Sequence, residues 1–325
     1  MTFTELPVEL IYRTLSFLSD SELKELSVDF KPVNDLVHKT LYYDDFESSE
    51  SLSKFLEDTN FSPNHLVVSS ADQLKQLPYS KFKYLSVENV DAPLPNFNYK
   101  SLYLNQARDI QQLSVEKLIV DGVPPTNHNV KSLEIHNHVI SKQELSRFPY
   151  LEQLTLVNSF TEQLDTNVNL DLKSLVINDY NTGDLSHFPL KNLEIYNVNS
   201  LDNLPPTLES LTIGDGKYLK NLKPIKSLQL KKLKLMMFSL CNIGEFYRTE
   251  LPESLEELEI EFVQEFYDIY NLINDIPLPK NLKKLIITGD DLSIHRKFPS
   301  SLEYLEFNGI FKYSPTSDIP VIINS

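Results

Sequence analysis

The chain has 325 residues, 41% of them hydrophobic, and a formal net charge of −16. A sizeable core is therefore available, but the acidic balance argues against a dedicated nucleic-acid binder, which needs a basic face to meet phosphates. The single cysteine, Cys241, allows no internal disulfide and fits a reducing compartment, cytoplasm or nucleus. No basic region followed by an apolar run occurs after Met1, so no secretory signal is expected. The most apolar stretch, Leu233 to Leu240, is broken by Lys234 and Ser239 and is far shorter than the ~20 residues of a membrane span.

Residues 4–43 read as three short helices. Pro7 suits a first helical turn, with Glu9 near its positive end, and Leu10, Ile11, Leu15 and Leu18 recur at helical spacing. Ser19-Asp-Ser-Glu22 is a capping-box pattern that opens a second helix with Leu23 and Leu26. Lys31-Pro32 opens a third, with Val33, Leu36, Val37 and Leu41 on one stripe. Residues 46–64 read as a connector in which Leu52, Phe55 and Leu56 mark one or two helical turns. Leu66-Val67-Val68 reads as a degenerate first strand.

From there one pattern returns. In Leu251-Pro-Glu-Ser-Leu-Glu-Glu-Leu-Glu-Ile260, the alternation Leu258-x-Ile260 is the period of a strand with one buried face. Near copies are Leu208-Glu-Ser-Leu211-Thr-Ile213, Leu282-Lys-Lys-Leu285-Ile-Ile287 and Leu302-Glu-Tyr-Leu305-Glu-Phe307, each preceded by a proline-containing turn. About twelve copies run from Leu85 to Leu305, at a mean step of about 20 residues. This stretch resembles the leucine-rich-repeat family. The resemblance implies an α/β solenoid over residues 65–310, with a parallel β-sheet on its concave side. One such repeat cannot bury its leucines alone, so neighbours must stack to form a continuous spine. The family's asparagine after the strand survives only in part, at Asn158, Asn178 and Asn308. The convex side is expected to be irregular, with one helix from Glu265 to Ile276. In the tail, residues 311–325, Phe311 and Tyr313 are expected to cap the last repeat and Ser314 onward to be loose.

No catalytic set stands out, so the chain is not expected to be an enzyme or to hold a cofactor or metal. Gly214-Asp-Gly216-Lys217 lacks phosphate-loop spacing. His128, His136 and His138 lie close in sequence, with no cysteine or paired carboxylate to complete a metal set. Cys241 reads as a small buried hydrophobe. The informative surface is the set of residues between the leucines, which face outward. There Lys232, Glu257 and Lys284 should lie side by side on adjacent strands. Tyr103 and Tyr196 are outward aromatics on the milder part of the sheet. Glu261 is expected opposite Met236 and Thr288, with no cation beside it. These three are the candidate protein-binding residues, Tyr196 as anchor and Glu261 favouring a basic segment.

The first 45 residues carry a second resemblance. Leu6-Pro7-x-Glu9-Leu10-Ile11, Leu15-Ser-Phe-Leu18, Leu23-x-x-Leu26-Ser-Val28, Asn34-Asp-Leu36 and Leu41-Tyr42 are similar in order and spacing to an F-box. The resemblance implies binding to a Skp-type adaptor and, through it, to a cullin-based ubiquitin ligase, by way of Leu6, Pro7, Leu10, Ile11 and Leu15. The repeats would then hold a protein substrate. The same block also reads as a helical cap shielding the first strand, which leaves a second possibility: a repeat-built interaction scaffold with no ligase link.

Overall fold

In an extended chain, successive side chains point to opposite faces, so the recurring Leu-x-Leu pattern puts leucines on one face and the residues between them on the other. The computed structural model describes residues 8–15, 18, 40–58, 64–76, 82–90, 94, 98–105, 114–125, 129–161, 170–178, 184–198, 200–214, 219, 222–238, 250–262, 274, 276–289, 292–294, 296–309, 311–313 and 321–324. The chain divides into two compact units, residues 1–138 with 143–151, and residues 139–142 with 152–325.

In the first unit, six strands pair in parallel in chain order: β1 (Thr40–Tyr42), β2 (His65–Val68), β3 (Tyr84–Val87), β4 (Asn98–Asn105), β5 (Ser114–Asp121) and β6 (Ser132–His136). The second unit opens with β7 (Val139–Ile140), paired to β9 (Phe160–Thr161). Its main parallel sheet runs through β8 (Gln153–Val157), β10 (Ser174–Ile177), β11 (Asn192–Tyr196), β12 (Ser210–Gly214), β13 (Lys232–Phe238), β14 (Glu257–Phe262), β15 (Lys284–Thr288), β17 (Tyr304–Asn308) and β19 (Val321–Asn324). A side pair joins β16 (Leu292–Ile294) to β18 (Phe311–Tyr313). Each unit is thus a parallel β-solenoid with one main strand per turn.

The register is leucine on leucine. In the first unit Leu66, Leu85, Leu102, Leu118 and Leu133 align strand to strand. In the second, Leu154, Leu175, Leu193, Leu211, Leu233, Leu258, Leu285 and Leu305 do the same. None of these leucines is more than 2% exposed.

The turns that enter the strands of the second unit repeat as well. The N–H groups of Leu208, Leu255, Leu282 and Leu302 donate to the carbonyls of Pro205, Pro252, Pro279 and Pro299, three residues back, at 3.1–3.3 Å. The hydroxyl before the leucine reaches the previous turn of the solenoid: Thr207 donates to Leu190 O at 2.8 Å, Ser254 to Leu230 O at 2.8 Å and Ser301 to Leu282 O at 2.7 Å. These hydroxyls satisfy backbone carbonyls at the strand entries. The asparagines act mainly after the strands. Asn137, Asn158 and Asn197 take left-handed backbone at φ 54, 47 and 54, a conformation asparagine tolerates, and so turn the chain off β6, β8 and β11. Asn197 Nδ2 also donates to Asn178 O at 3.2 Å, and Asn308 Nδ2 to Thr288 Oγ1 at 3.4 Å. Along the strand entries, charges alternate between neighbours: Glu209 lies between Lys191 at 3.1 Å and Lys231 at 3.0 Å, and Lys283 meets Glu256 at 2.8 Å.

Both ends of the chain depart from expectation. Thr40–Tyr42, read as the end of a third helix, is a strand in register with β2, and Leu41 is fully buried opposite Leu66. Completing the buried leucine row outweighs helical spacing here. The tail expected to be loose supplies β19, with Leu305 opposite Val321 and Phe307 opposite Ile323. Its β-branched run fits a pleated surface without carrying the leucine motif. Phe311–Tyr313, expected as a cap, is β18. The helices α1 (Val8–Leu15) and α2 (Ser49–Asp58) form as expected and lie against each other. Ile11 and Leu15 of α1 are buried, as are Leu52, Phe55 and Leu56 of α2. The helix from Ser19, the opening of the third, and the helix from Glu265 lie outside the described residues, except for Asn274 and Ile276.

Leu258 is 1% exposed, whereas Glu259 beside it faces out. Leu258→Asp is expected to destabilise by several kcal/mol through an unpaired buried charge. Glu259→Lys, which loses one half-exposed ion pair, should cost about 0–1 kcal/mol. Paired thermal melts check this, and equal melting temperatures would mean the strand faces are assigned the wrong way round.

Candidate interaction surface

The register that stacks the leucines also lines up the residues between them. On the outward face of the second unit, Ser210, Lys232, Glu257, Lys284 and Tyr304 form one row across five strands. The next row runs Glu194, Thr212, Lys234, Glu259, Ile286 and Glu306. Where the short hydroxyl side chains of β12 meet the long charged ones of β13 to β15, the face sinks into a depression of about 180 Å³, lined by Ser210, Thr212, Lys232, Lys234, Glu257 and Glu259, with Lys284 and Ile286.

The expected side-by-side charges are there. Lys232 pairs with Glu257 at 2.8 Å and Lys234 with Glu259 at 2.6 Å. Both pairs are partly exposed and contribute about 0–1 kcal/mol each, so a ligand can exchange with them at little cost. Lys284 aligns with Glu257 on one side, and on the other its ammonium stands 5.2 Å over the Tyr304 ring, a cation–π arrangement.

The third row holds two departures from the repeat. Leu235 faces Ile260, but the next aligned pair is Phe238 with Phe262, so Met236 and Met237 together stand opposite Glu261. This β-bulge corrects the expectation of Met236 alone in that place. Thr288 is the neighbour of Glu261 on the other side, and among the described residues Glu261 has no ion-pair partner. Gly214 is the second departure. The Tyr196 ring lies across it, and a Cβ at Gly214 would stand 2.1 Å from that ring, so only glycine leaves room. The Tyr196 hydroxyl donates to Glu194 Oε1. That hydrogen bond, followed by burial and the charge of Glu194, pushes the phenol up to about 12.

Of the sequence-predicted residues, Tyr196 and Glu261 thus share one row of the second unit. Tyr103 lies half-exposed on β4 of the first unit, where burial and then the charges of Asp121 and Glu88 raise its phenol. Leu10 is 44% exposed, Ile11 and Leu15 are buried, and Leu6 and Pro7 lie outside the described residues. Missed from sequence were Gly214 as the bed of a ring, Glu194 as its tether, and the bulge. A glycine at an outward strand position was the available signal for the first.

The first unit carries a separate cluster. Glu134 accepts from Lys117 at 2.7 Å, and His136 Nε2 lies 2.9 Å from it. Burial pushes the Glu134 carboxyl up, but these two hydrogen bonds outweigh it and hold the group below its ordinary range. His138, in the turn after β6, meets Glu144 at 3.1 Å. On β2, His65 reaches Ser86 at 2.8 Å, and burial lowers its ring. Among the described residues no group of three or more His, Cys, Asp or Glu side chains could hold a metal ion, and no helix is long and apolar enough to cross a membrane. Cys241, His128, Gly216 and Lys217 lie outside the described residues. The sequence matches no model of a known protein family and no curated protein.

The raised phenol of Tyr196 gives a direct test. A phenol whose pKa is higher in the folded state adds stability that is fully present below the unfolded value of about 10 and is lost as pH rises through about 12. The difference in phenolate absorbance between the wild type and Tyr196→Phe should have its midpoint near 12. In a Glu194→Gln background it should fall back toward about 10.

Proposed function

We propose that this chain is a substrate-recognition subunit of a Skp–cullin–F-box ubiquitin ligase, with its N-terminal block on a Skp-type adaptor and the outward face of its repeats on a protein substrate. The observation that carries the binding half of this reading is the face over β12–β15: a depression edged by rigidly registered, partly exposed charges and hydroxyls. Such a face offers sites for charge and hydrogen-bond recognition on a regular scaffold. The adaptor half rests on the F-box-like spacing from Leu6 to Tyr42 and on Leu10, which stands exposed on α1 while Ile11 and Leu15 pack inward.

A second reading, an interaction scaffold with a helical cap and no ligase link, draws on the burial of those same two residues and on the packing of α1 beside α2. Leu10 separates the two. If α1 meets the adaptor, Leu10→Asp should weaken adaptor binding at least about tenfold in isothermal titration and leave the melting temperature within about 2 °C, since surface changes cost little. Deleting residues 1–45 removes Leu41 from the buried row and is therefore expected to lower the melting temperature as well. Absence of adaptor binding by the wild-type chain at micromolar concentration rules out the ligase link and leaves the scaffold.

A further inference from the structure

We propose that the row formed by Tyr196, Met236 and Glu261 receives one long basic side chain, arginine or lysine, of the protein segment held on this face. The inference rests on the reading of the face as a protein-binding surface and names what that surface selects.

Strand β14 presents carboxylates at every second residue, Glu257, Glu259 and Glu261, all pointing outward. The first two have a lysine on the neighbouring strand at 2.8 and 2.6 Å. Continuing that pattern would put a third cation on β13 opposite Glu261. The bulge puts Met236 and Met237 there instead, and the other neighbour is Thr288. Two pairs are closed within the sheet, and among the described residues the third carboxylate meets no cation.

The rest of the row completes a fit to a basic side chain. Gly214 and Met236 align across β12 and β13, and the Tyr196 ring covers the glycine, so an apolar shelf leads up to the carboxylate. One strand spacing, about 4.8 Å, separates β13 from β14. A lysine or arginine can lay its methylenes on the thioether and bring its charged head to Glu261, the division of labour these side chains favour. The tyrosine ring forms the far end of that shelf, and the hydrogen bond to Glu194 fixes the ring before any ligand arrives, which removes part of the ordering cost of binding. An acidic side chain would meet Glu261 with no cation beside it among the described residues.

The probe is a random 12-residue peptide library displayed on phage and selected against the full chain, followed by fluorescence anisotropy with an enriched peptide. Enriched peptides should share one arginine or lysine, and replacing it with glutamine should weaken binding at least about tenfold. Glu261→Lys in the protein should weaken it as much, with an unchanged melting temperature, and should recover binding when the peptide's basic residue becomes glutamate. Tyr196→Ala, and Gly214→Ala, which displaces the ring, should weaken binding without changing its charge preference. Enrichment of acidic peptides, no enrichment, indifference of basic peptides to Glu261→Lys, or burial of this row in a contact between two copies of the chain would each overturn the proposal. Adaptor titration of the same proteins keeps the two readings apart. Adaptor binding with no basic selection removes this inference alone, and basic selection with no adaptor binding removes the ligase link alone.

Discussion

Everything on this molecule's surface depends on the leucine rows staying in register. A half-buried strand of the form Leu-x-Ile covers nothing by itself; its two apolar side chains find cover only between the equivalent side chains of the strands before and after. A slip of one residue would send them into water and bring glutamate or lysine inside. The alignment of Leu154 through Leu305, and of Leu66 through Leu133 in the other unit, is therefore strongly specified. Because the outward residues are covalently between the leucines, their rows are fixed by the same energy. The pairing of Lys232 with Glu257 and of Lys234 with Glu259 follows from apolar burial rather than causing it.

The returning chain poses a second problem, because backbone carbonyls at the strand entries face neither a sheet partner nor a helix. The proline turns solve it in a repeated way. The first carbonyl closes on the leucine three residues later, and a serine or threonine hydroxyl between them reaches one turn of the solenoid back. Each following pair of N–H groups shares one carbonyl of the preceding turn, as when Glu256 and Glu257 both donate to Lys231. The alternating surface charges at these positions add little energy each, but they oppose a stacking error that would set like charges side by side.

Against so regular a background, the informative places are the exceptions. The bulge after Leu235 and the glycine at position 214 each break the row, one by inserting an extra residue, the other by withdrawing a side chain. One leaves Glu261 with no ion-pair partner among the described residues, and the other lets the Tyr196 ring lie over the backbone of β12 in the same row.

The sequence by itself determined the strand period, the buried face and the pairing partners, since the alternation and its many copies admit one way of hiding the leucines. It also located α2, through Leu52, Phe55 and Leu56, whereas Ile11 and Leu15, read from sequence as adaptor-binding residues, were placed inward only by the structure. Only the tertiary structure decided the ends. Leu41 sits at a helical interval from Val37, and Val321-Ile-Ile carries no repeat motif, yet each segment falls into register with a leucine row, Leu41 opposite Leu66 and Val321 opposite Leu305; for Leu41, burial in that row outweighs local pattern. The bulge was likewise invisible in sequence, because Leu233 to Phe238 reads as one uninterrupted strand; where the extra residue falls depends on how Phe238 and Phe262 come into line. Tyr196 could be placed outward from its spacing alone, but that it lies over Gly214 required the two strands to be side by side, a contact between residues 18 positions apart in the chain.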